Sequence, residues 1–317
     1  MSLRAAFAVA LIGCAAAALA QDRTVRIQVP FATGGGTDIL TRIIAPKLAE
    51  RLAQPVIVEN RPGAGGAIAA RYTAAAAPDG QTVMMGSISE IGINPNVNPQ
   101  IGYDIWKDFA LVASVAYTPI TLVVHPSVQA QNVKELIGLA RAKPGALNYG
   151  SAGTGSGSHM GAELFRYLTK VQITHVPYKG VGAAVADTVA GQVQMTFTTV
   201  PSAVTFVRSG QLRSLGVASA QRAPQLPDAP TFIEAGVPEY LMDYWYCLVA
   251  PAATPKDTQA RLNGAVREVM RMPEVVAGLD KMGLLPLTMT ADEFAAYVRK
   301  ENERWAAVVK AAGIKPE

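Results

Sequence analysis

Residues Leu147 to Leu168 read LNYGSAGTGSGSHMGAELFRYL, a short strand that empties through a Gly/Ser/Thr loop into a helix. Small residues let backbone N–H groups converge on a ligand, and a helix beginning near Ser158 adds its positive N-terminal end. Such a place attracts an anion without offering a formal charge. Val25 to Leu48 repeats the grammar: the β-branched strand VRIQV, the turn PFATGGGTD, then an apolar-periodic helix. The pattern predicts two loops that face each other and share one small anionic ligand.

Outward from these stretches the chain alternates strand and helix. After VRIQV come a helix over 37–53, the strand PVIVE, the turn NRPGAGG, a helix over 66–77 and the strand TVMMGS. Asn94 to Pro99 reads as a Pro/Asn-rich loop and ITLVVHP as a strand. A second unit follows: a helix over 132–142, the strand, loop and helix quoted first, QITHV, a helix over 181–190, QVQMTF, a helix through about Arg208, and LRSLGVA. Alternation of this kind builds mostly parallel sheets with helices on both faces. Ala223 to Pro230 is too rich in proline for anything but an extended connection.

The strand WYCLVAP, a helix over 255–272 and an amphipathic helix from Ala291 to about Ala312 have no sheet of their own nearby. The economical arrangement returns them to the first unit, with crossings near Thr121 and Val249. Two α/β lobes are expected, residues 21–121 with 249–317 and residues 122–248, joined by a two-strand hinge around a cleft. Ligands in open α/β sheets bind beyond the carboxyl ends of strands, where both Gly-rich loops sit.

Residues 1–20 carry the marks of an export signal: Arg4, the apolar run Ala5 to Leu19, and Ala18-Leu19-Ala20 before Gln21. Leu11-Ile12-Gly13-Cys14 resembles a lipoprotein motif, which would instead make Cys14 a lipid-bearing N-terminus. Cleavage after Ala20 leaves only Cys247, with no internal disulfide and no thiol-rich metal site. A net charge of +4 over 317 residues, with no basic run, favours anions in general and gives no footing for nucleic acid. No D-x-D-x-D loop appears, so neither metal nor cofactor is expected, and the chain is expected to act as a monomer.

Enzymatic readings find little support. The glycines at 34–36 do not space as G-x-G-x-x-G, and no serine near His159 sits in G-x-S-x-G or S-x-x-K. Adjacent helical residues such as Ser158 and His159 do not face each other. An exported hydrolase using Ser156 or Ser158 is nevertheless the rival from another class. Each candidate contact also has a plainer role. Thr37 and Asp38 suit an N-cap and a first-turn acid, Ser151, Thr154 and Ser156 suit loop amides, and His159 suits a loop carbonyl. Phe31 suits either core or a lid over an apolar ligand stem, Trp245 suits packing, and Gly63 to Gly66 suits a tight turn.

The segments PFATGGGTDILTR, VIVENRPGAGGAIAA, APDGQTVMMGS, LNYGSAGTGSGSHMGAELF, THVPYKG, LGVASAQRAPQLPDAPTFIEAGVPEY and WYCLVAPAATP together resemble the extracytoplasmic solute-binding receptors of tripartite tricarboxylate transporters, the Bug family. The resemblance implies a two-lobe, type 2 periplasmic-binding-protein fold. It also implies a non-enzymatic receptor that captures a small carboxylated solute and hands it to a membrane permease. A sensory receptor for a membrane signalling partner would share the same site. In the family, backbone and hydroxyl groups recognise the carboxylate and waters bridge it to the first-lobe loop. Carried over, the first-lobe contacts are Phe31, Thr33, Gly35, Gly36, Thr37 and Asp38, supported by Ser87. Those of the second lobe are Ser151, Gly153, Thr154, Ser156 and His159, with Thr198 and Thr199 as a further wall. Two departures bear on ligand identity: the usual P-P-G-G appears as Ala32-Thr33-Gly34-Gly35, and Thr198 stands where many members carry an acid or amide.

Overall fold

The computed structural model of the chain describes residues 24–315. The export signal, its cleavage site and Cys14 lie outside the described residues. In chain order the strands are β1 (Val25–Val29), β2 (Val56–Asn60), β3 (Thr82–Ser87), β4 (Phe109–Val124), β5 (Asn148–Ser151), β6 (Thr174–Pro177), β7 (Met195–Thr199), β8 (Arg213–Val217), β9 (Asp243–Pro251) and β10 (Leu285–Pro286). The helices are α1 (Gly36–Leu52), α2 (Ala67–Ala74), α3 (Asn94–Val97), α4 (Val133–Ala142), α5 (Gly157–Thr169), α6 (Val181–Val189), α7 (Val200–Arg208), α8 (Lys256–Val269), α9 (Pro273–Lys281) and α10 (Ala291–Ala312).

The strands hydrogen-bond in the order β2-β1-β3-β9-β4-β7-β5-β6, with β8 and β10 also on β4. β1, β2 and β3 run parallel, as do β5, β6 and β7. Between these two parallel groups lie β9 and β4, antiparallel to their neighbours. β4 changes partner along its length: Phe109 to Pro119 pairs with β9, and Ile120 to Val124 pairs with β7. A strand of 16 residues spans roughly 50 Å at about 3.3 Å per residue, enough to belong to both halves. Its sequence FALVASVAYTPITLVV has no charged residue, and most of it is buried.

The first half of β4 is a correction to the sequence reading, which began this strand at Ile120. FALVASVA carries no clean alternation because both of its faces are covered. Asn94 to Val97 is a helical turn rather than a loop, and it continues a π-helical turn over Ile88–Ile93. The expected helix over 255–272 ends at Val269, and α9 follows it.

The helices close the core by regular stripes. α1 buries Leu40, Ile44, Leu48 and Leu52 at four-residue spacing and ends on Ala53 in the left-handed region. α10 opens with the capping box Thr290/Glu293, buries Phe294, Val298, Trp305 and Val309, and stops at Gly313 with φ 66°. The C-terminal helices pack where the sequence placed them: α8 lies on β4 and α1, and α10 lies on β4 and the π-helical turn. Trp245 of β9 meets the edges of Phe294 and Tyr297, with ring centroids 5.8 and 5.9 Å away. Its indole therefore anchors α10, while its neighbours Tyr244 and Tyr246 point to the other face of the sheet. Phe294→Ala is expected to cost about 3–5 kcal/mol of stability, measured by urea unfolding, because a wholly buried ring leaves an unfilled hole.

Candidate functional site

Two helix starts meet one cavity, and the local chain sets how each is held. At α5 the hydroxyl side chains serve the loop. Ser156 is the N-cap and accepts from the His159 N–H at 3.3 Å, Ser158 Oγ accepts from the Ala152 N–H at 2.8 Å, and Ser151 Oγ accepts from the Gly153 N–H at 3.0 Å. Gly153 and Gly155 stand at φ 100° and 78°, which side chains seldom adopt. Ser151 Oγ also lies 2.6 Å from His175 Nε2, and the His175 ring sits between those of Tyr149 and His159. The loop is thus held from behind by a stack of rings.

At α1 the N-cap is Gly35, with no side-chain cap. Asp38 holds the turn instead: its Oδ2 accepts from the Gly34 N–H at 3.1 Å, and its Oδ1 accepts from Arg42 and Asn60, both at 2.9 Å. Asn60 in turn donates to the Phe31 carbonyl at 3.0 Å. Gly36 has to be bare, because a Cβ there would strike the Tyr246 hydroxyl and come within 2.6 Å of Thr199 Oγ1.

The cavity between these starts is narrow, with about 330 Å³ of space not filled by atoms, part of it open to solvent. Of the residues the sequence singled out, Phe31, Gly35, Gly36, Thr37, Ser156, Thr198 and Thr199 line it. Asp38, Ser151 and His159 are buried behind the wall. Thr33 is exposed at the loop tip, and Gly153 and Thr154 line an outer groove against Gly65. The remaining wall is Ile120, Ala152, Gly157, Ser158, Val181, Tyr244 and Tyr246. Sequence reasoning passed over the two tyrosines because an aromatic strand reads as core; their period-two spacing around Trp245 was the available signal.

Among the described residues, no charged side chain lines this cavity. Its polar groups are hydroxyls and helix-start amides, and two of the hydroxyls, Thr198 Oγ1 and Tyr246 OH, are buried without a hydrogen-bond partner. Tyr246 lies beside Thr199, but the two hydroxyls do not make a well-formed bond. The two sides of the cleft also touch directly. The Ala32 N–H donates to the Lys179 carbonyl at 3.2 Å, the Gly157 N–H donates to Ser89 Oγ at 2.9 Å, and Gly182 lies against the Thr33 carbonyl and Gly34.

Ser87 stands one step back from the cavity. Its Oγ lies 2.9 Å from the Tyr244 hydroxyl and donates to Glu90 Oε2 at 2.8 Å, while the Ser87 N–H donates to the same oxygen at 2.8 Å. Ser89 Oγ is 2.8 Å from the Tyr244 hydroxyl and receives the Gly157 amide. One hydroxyl chain therefore runs from a wholly buried glutamate to the lobe contact. Burial pushes the Glu90 carboxyl up to about 8, with its Oε1 unpartnered.

A family model described as the tripartite tricarboxylate transporter family receptor matches residues 40–314. Protein BugT of Bordetella pertussis is 34% identical over 294 residues, 92% of this chain and 90% of that protein. Among solved structures, an R. palustris protein with adipate aligns at 37% identity and TM-score 0.89, covering 93% of this chain and 99% of its own. MatC from Rhodopseudomonas palustris with bound malate aligns at 35% identity and TM-score 0.88, covering 90% and 99%.

Glu90 yields a pH prediction. Between its unfolded value of 4.5 and about 8, the folded chain keeps a proton that the unfolded chain has lost. Stability therefore falls as pH rises through that window and levels off above it. Glu90→Gln keeps an acceptor for Ser87 and does not titrate. Urea unfolding at a series of pH values across this window is expected to show the variant gaining on the wild type as pH rises; parallel curves would contradict the assignment.

Proposed function

The chain belongs to the tripartite tricarboxylate transporter receptor family, and from that premise we propose that it captures a small carboxylate in the cleft between α5 and α1 and delivers it to a permease of that transporter type. The family's members are periplasmic solute-binding receptors rather than enzymes. We place the leader's cleavage after Ala20 rather than lipid at Cys14, and we take the chain to work as a monomer. We divide the lobes where β4 exchanges β9 for β7, giving residues 24–119 with 243–315 against residues 120–242.

The observation that carries this reading is the convergence of two uncapped or hydroxyl-capped helix starts on a cavity with no charged side chain. Each start presents N–H groups without intrahelical partners and about half a positive charge. A carboxylate satisfies both. The carboxylates bound by the two R. palustris structures, adipate and malate, support the same substrate class. In this assignment Ser156, Ser158, Thr37 and the Gly35-Gly36 backbone meet the ligand. Asp38, Ser87, Ser151 and His159 hold the surfaces that do so. The hydroxyls of Ser156 and Ser158 lie 3.1 Å apart and are engaged with a helix amide and a loop amide, which suits a cap better than a nucleophile.

A thermal-shift screen of the unfolded and refolded chain from Gln21, against mono-, di- and tricarboxylates, tests the reading. A saturable rise is expected for one carboxylate class, worth about 2.7 kcal/mol at a hundredfold excess over Kd. No rise from any of them would overturn it. Closure has its own test in Gly182→Ala. The added methyl would collide with the Thr33 carbonyl across the cleft while favouring helix α6 by up to about 1 kcal/mol. The ligand-free melting temperature is expected to hold or rise, and ligand affinity to fall by about tenfold or more. Unchanged affinity would show that this lobe contact is not needed for capture.

A further inference from the structure

Glu90 is wholly buried, and solute capture as described so far makes no use of it. Its Oε2 accepts from the Ser87 N–H and hydroxyl, while Oε1 has no hydrogen-bond partner. Gly66, at the start of α2, packs its bare Cα against that oxygen, so closely that a Cβ there would overlap it. Among the described residues no basic side chain pairs with the carboxyl. An oxygen set against carbon with no donor and no cation suits a carboxylic acid with its proton on Oε1, not an anion. The ionisable groups around it are Tyr103, Tyr244, Tyr246 and Cys247, all pushed above their ordinary ranges by burial and so neutral. Arg71 of α2 faces Tyr103 and donates to the Ile101 carbonyl at 2.8 Å. From the other elements packed on this turn, α5 presents Gly157 and α10 presents Asn302.

The hydrogens that link Glu90 to the cleft fall in one order. Ser87 Oγ commits its hydrogen to Glu90, so the Tyr244 hydroxyl, 2.9 Å away, donates to Ser87. Ser89, 2.8 Å from Tyr244, must then donate to it, and it accepts from the Gly157 N–H. Every hydrogen from α5 inward points toward the acid. The far end of this chain is also its roof: Gly157 lies against the Tyr244 ring, Gly155 against the Asn94 side chain and the Thr154 carbonyl against Gly65. All three contacts cross the cleft. Parting the lobes therefore admits water to Ser89 and to Tyr244, which is two hydrogen bonds from the carboxyl.

We infer that Glu90 is a proton-binding site coupled to the cleft: as the lobes shut on a solute, its carboxylate takes one proton from solvent onto Oε1, and it returns that proton when they part. The inference rests on the carboxylate-receptor reading above and adds a proton to what is captured. Water at Tyr244 and Ser89 supports the ionised form while the cleft is open. Closure expels that water, and burial then holds the carboxyl up to about 8. A solute carboxylate entering beside Tyr244 acts in the same direction, because like charge opposes ionisation. By linkage the shut form, which binds the extra proton, is favoured at lower pH and loses its advantage as pH rises through that value.

The test is calorimetric titration of the refolded chain with each acid that raises the melting temperature in the screen above, adipate and malate first. Titration in phosphate and in Tris, whose heats of ionisation differ, counts the protons exchanged. At about pH 7.5 the wild type is expected to take up about half a proton or more per solute bound, and from about pH 6.5 to about pH 8.5 its affinity should fall about fivefold or more. Glu90→Gln should bind the same acid without that uptake and with a flatter pH profile. His159, Glu163 and His175, behind the α5 loop, are unchanged in the variant, so only the share belonging to Glu90 disappears. Should the variant fail to fold, the infrared difference spectrum of the wild type on binding answers the same question, with a carboxylic-acid band expected to appear with the solute. No uptake and no such band in the wild type, or the same uptake in Glu90→Gln, overturns the inference while the receptor reading stands. No rise from any carboxylate in the screen, with refolding verified, removes the receptor reading and this inference together.

Discussion

The structure depends on bringing the starts of α1 and α5 together on either side of one small cavity. An ordinary buried helix start is closed by a side-chain cap, a neighbouring carbonyl or water. Here α1 is capped by glycine, and the carboxylate that would naturally fold back on its first turn, Asp38, is drawn away by Arg42 and Asn60. At α5 the N-cap Ser156 takes the His159 N–H and Ser89 takes that of Gly157, while Ser158 and Ser151 satisfy the loop amides of 152 and 153. The strands that carry both loops are tied into one continuous sheet by β4 and β9, so the two starts keep a fixed relation apart from bending at that crossing.

Close approach across the cleft then follows from glycine. Gly36, Gly157 and Gly182 each meet a partner from the other side where a methyl group would overlap it: the Thr199 hydroxyl for the first, Tyr244 for the second, the Thr33 carbonyl for the third. Elsewhere in a helix, glycine costs up to about 1 kcal/mol relative to alanine. At these three helical positions that cost secures backbone-to-backbone contact between lobes and room for two tyrosines.

Much of this was legible in the residues. The loop-to-helix stretches at 31–38 and 151–159 announced both helix starts, and the order of strands and helices announced two parallel groups. Which polar side chain faces the cavity was less legible, because a serine or aspartate in a glycine-rich loop satisfies its own backbone as readily as a solute. Ser151, Asp38 and His159 look inward for that reason. The π-helical turn at 88–93 reads as a plain apolar run, ISEIGI, although Ser87 and Glu90 at capping-box spacing marked its start. Tyr244 and Tyr246 were hidden because hydropathy does not distinguish a ring that fills a core from one whose hydroxyl reaches a cavity. Pro119, where β4 exchanges β9 for β7, gave no sign that one strand would serve both sheets.

A site that recognises an anion without a charged side chain behaves differently from one built on arginine. A guanidinium pairs with a carboxylate from a single lobe and holds it in the open state as well as the closed one. Helix-start amides and hydroxyls act strongly only when water is excluded and both walls are present. Here the donors are divided: Ser156 and Ser158 lie on one side of the crossing, and Gly36, Thr37 and Tyr246 on the other. On the function proposed above, affinity belongs mainly to the closed form, and a ligand shifts the hinge by the difference between its two affinities. The same division favours release, since separating the lobes leaves neither half with a charge to retain the solute. The hydroxyl chain Glu90–Ser87–Tyr244–Ser89 ends on the Gly157 amide, so the interior of one lobe is hydrogen-bonded to the first residue of α5 in the other only while the cleft is shut.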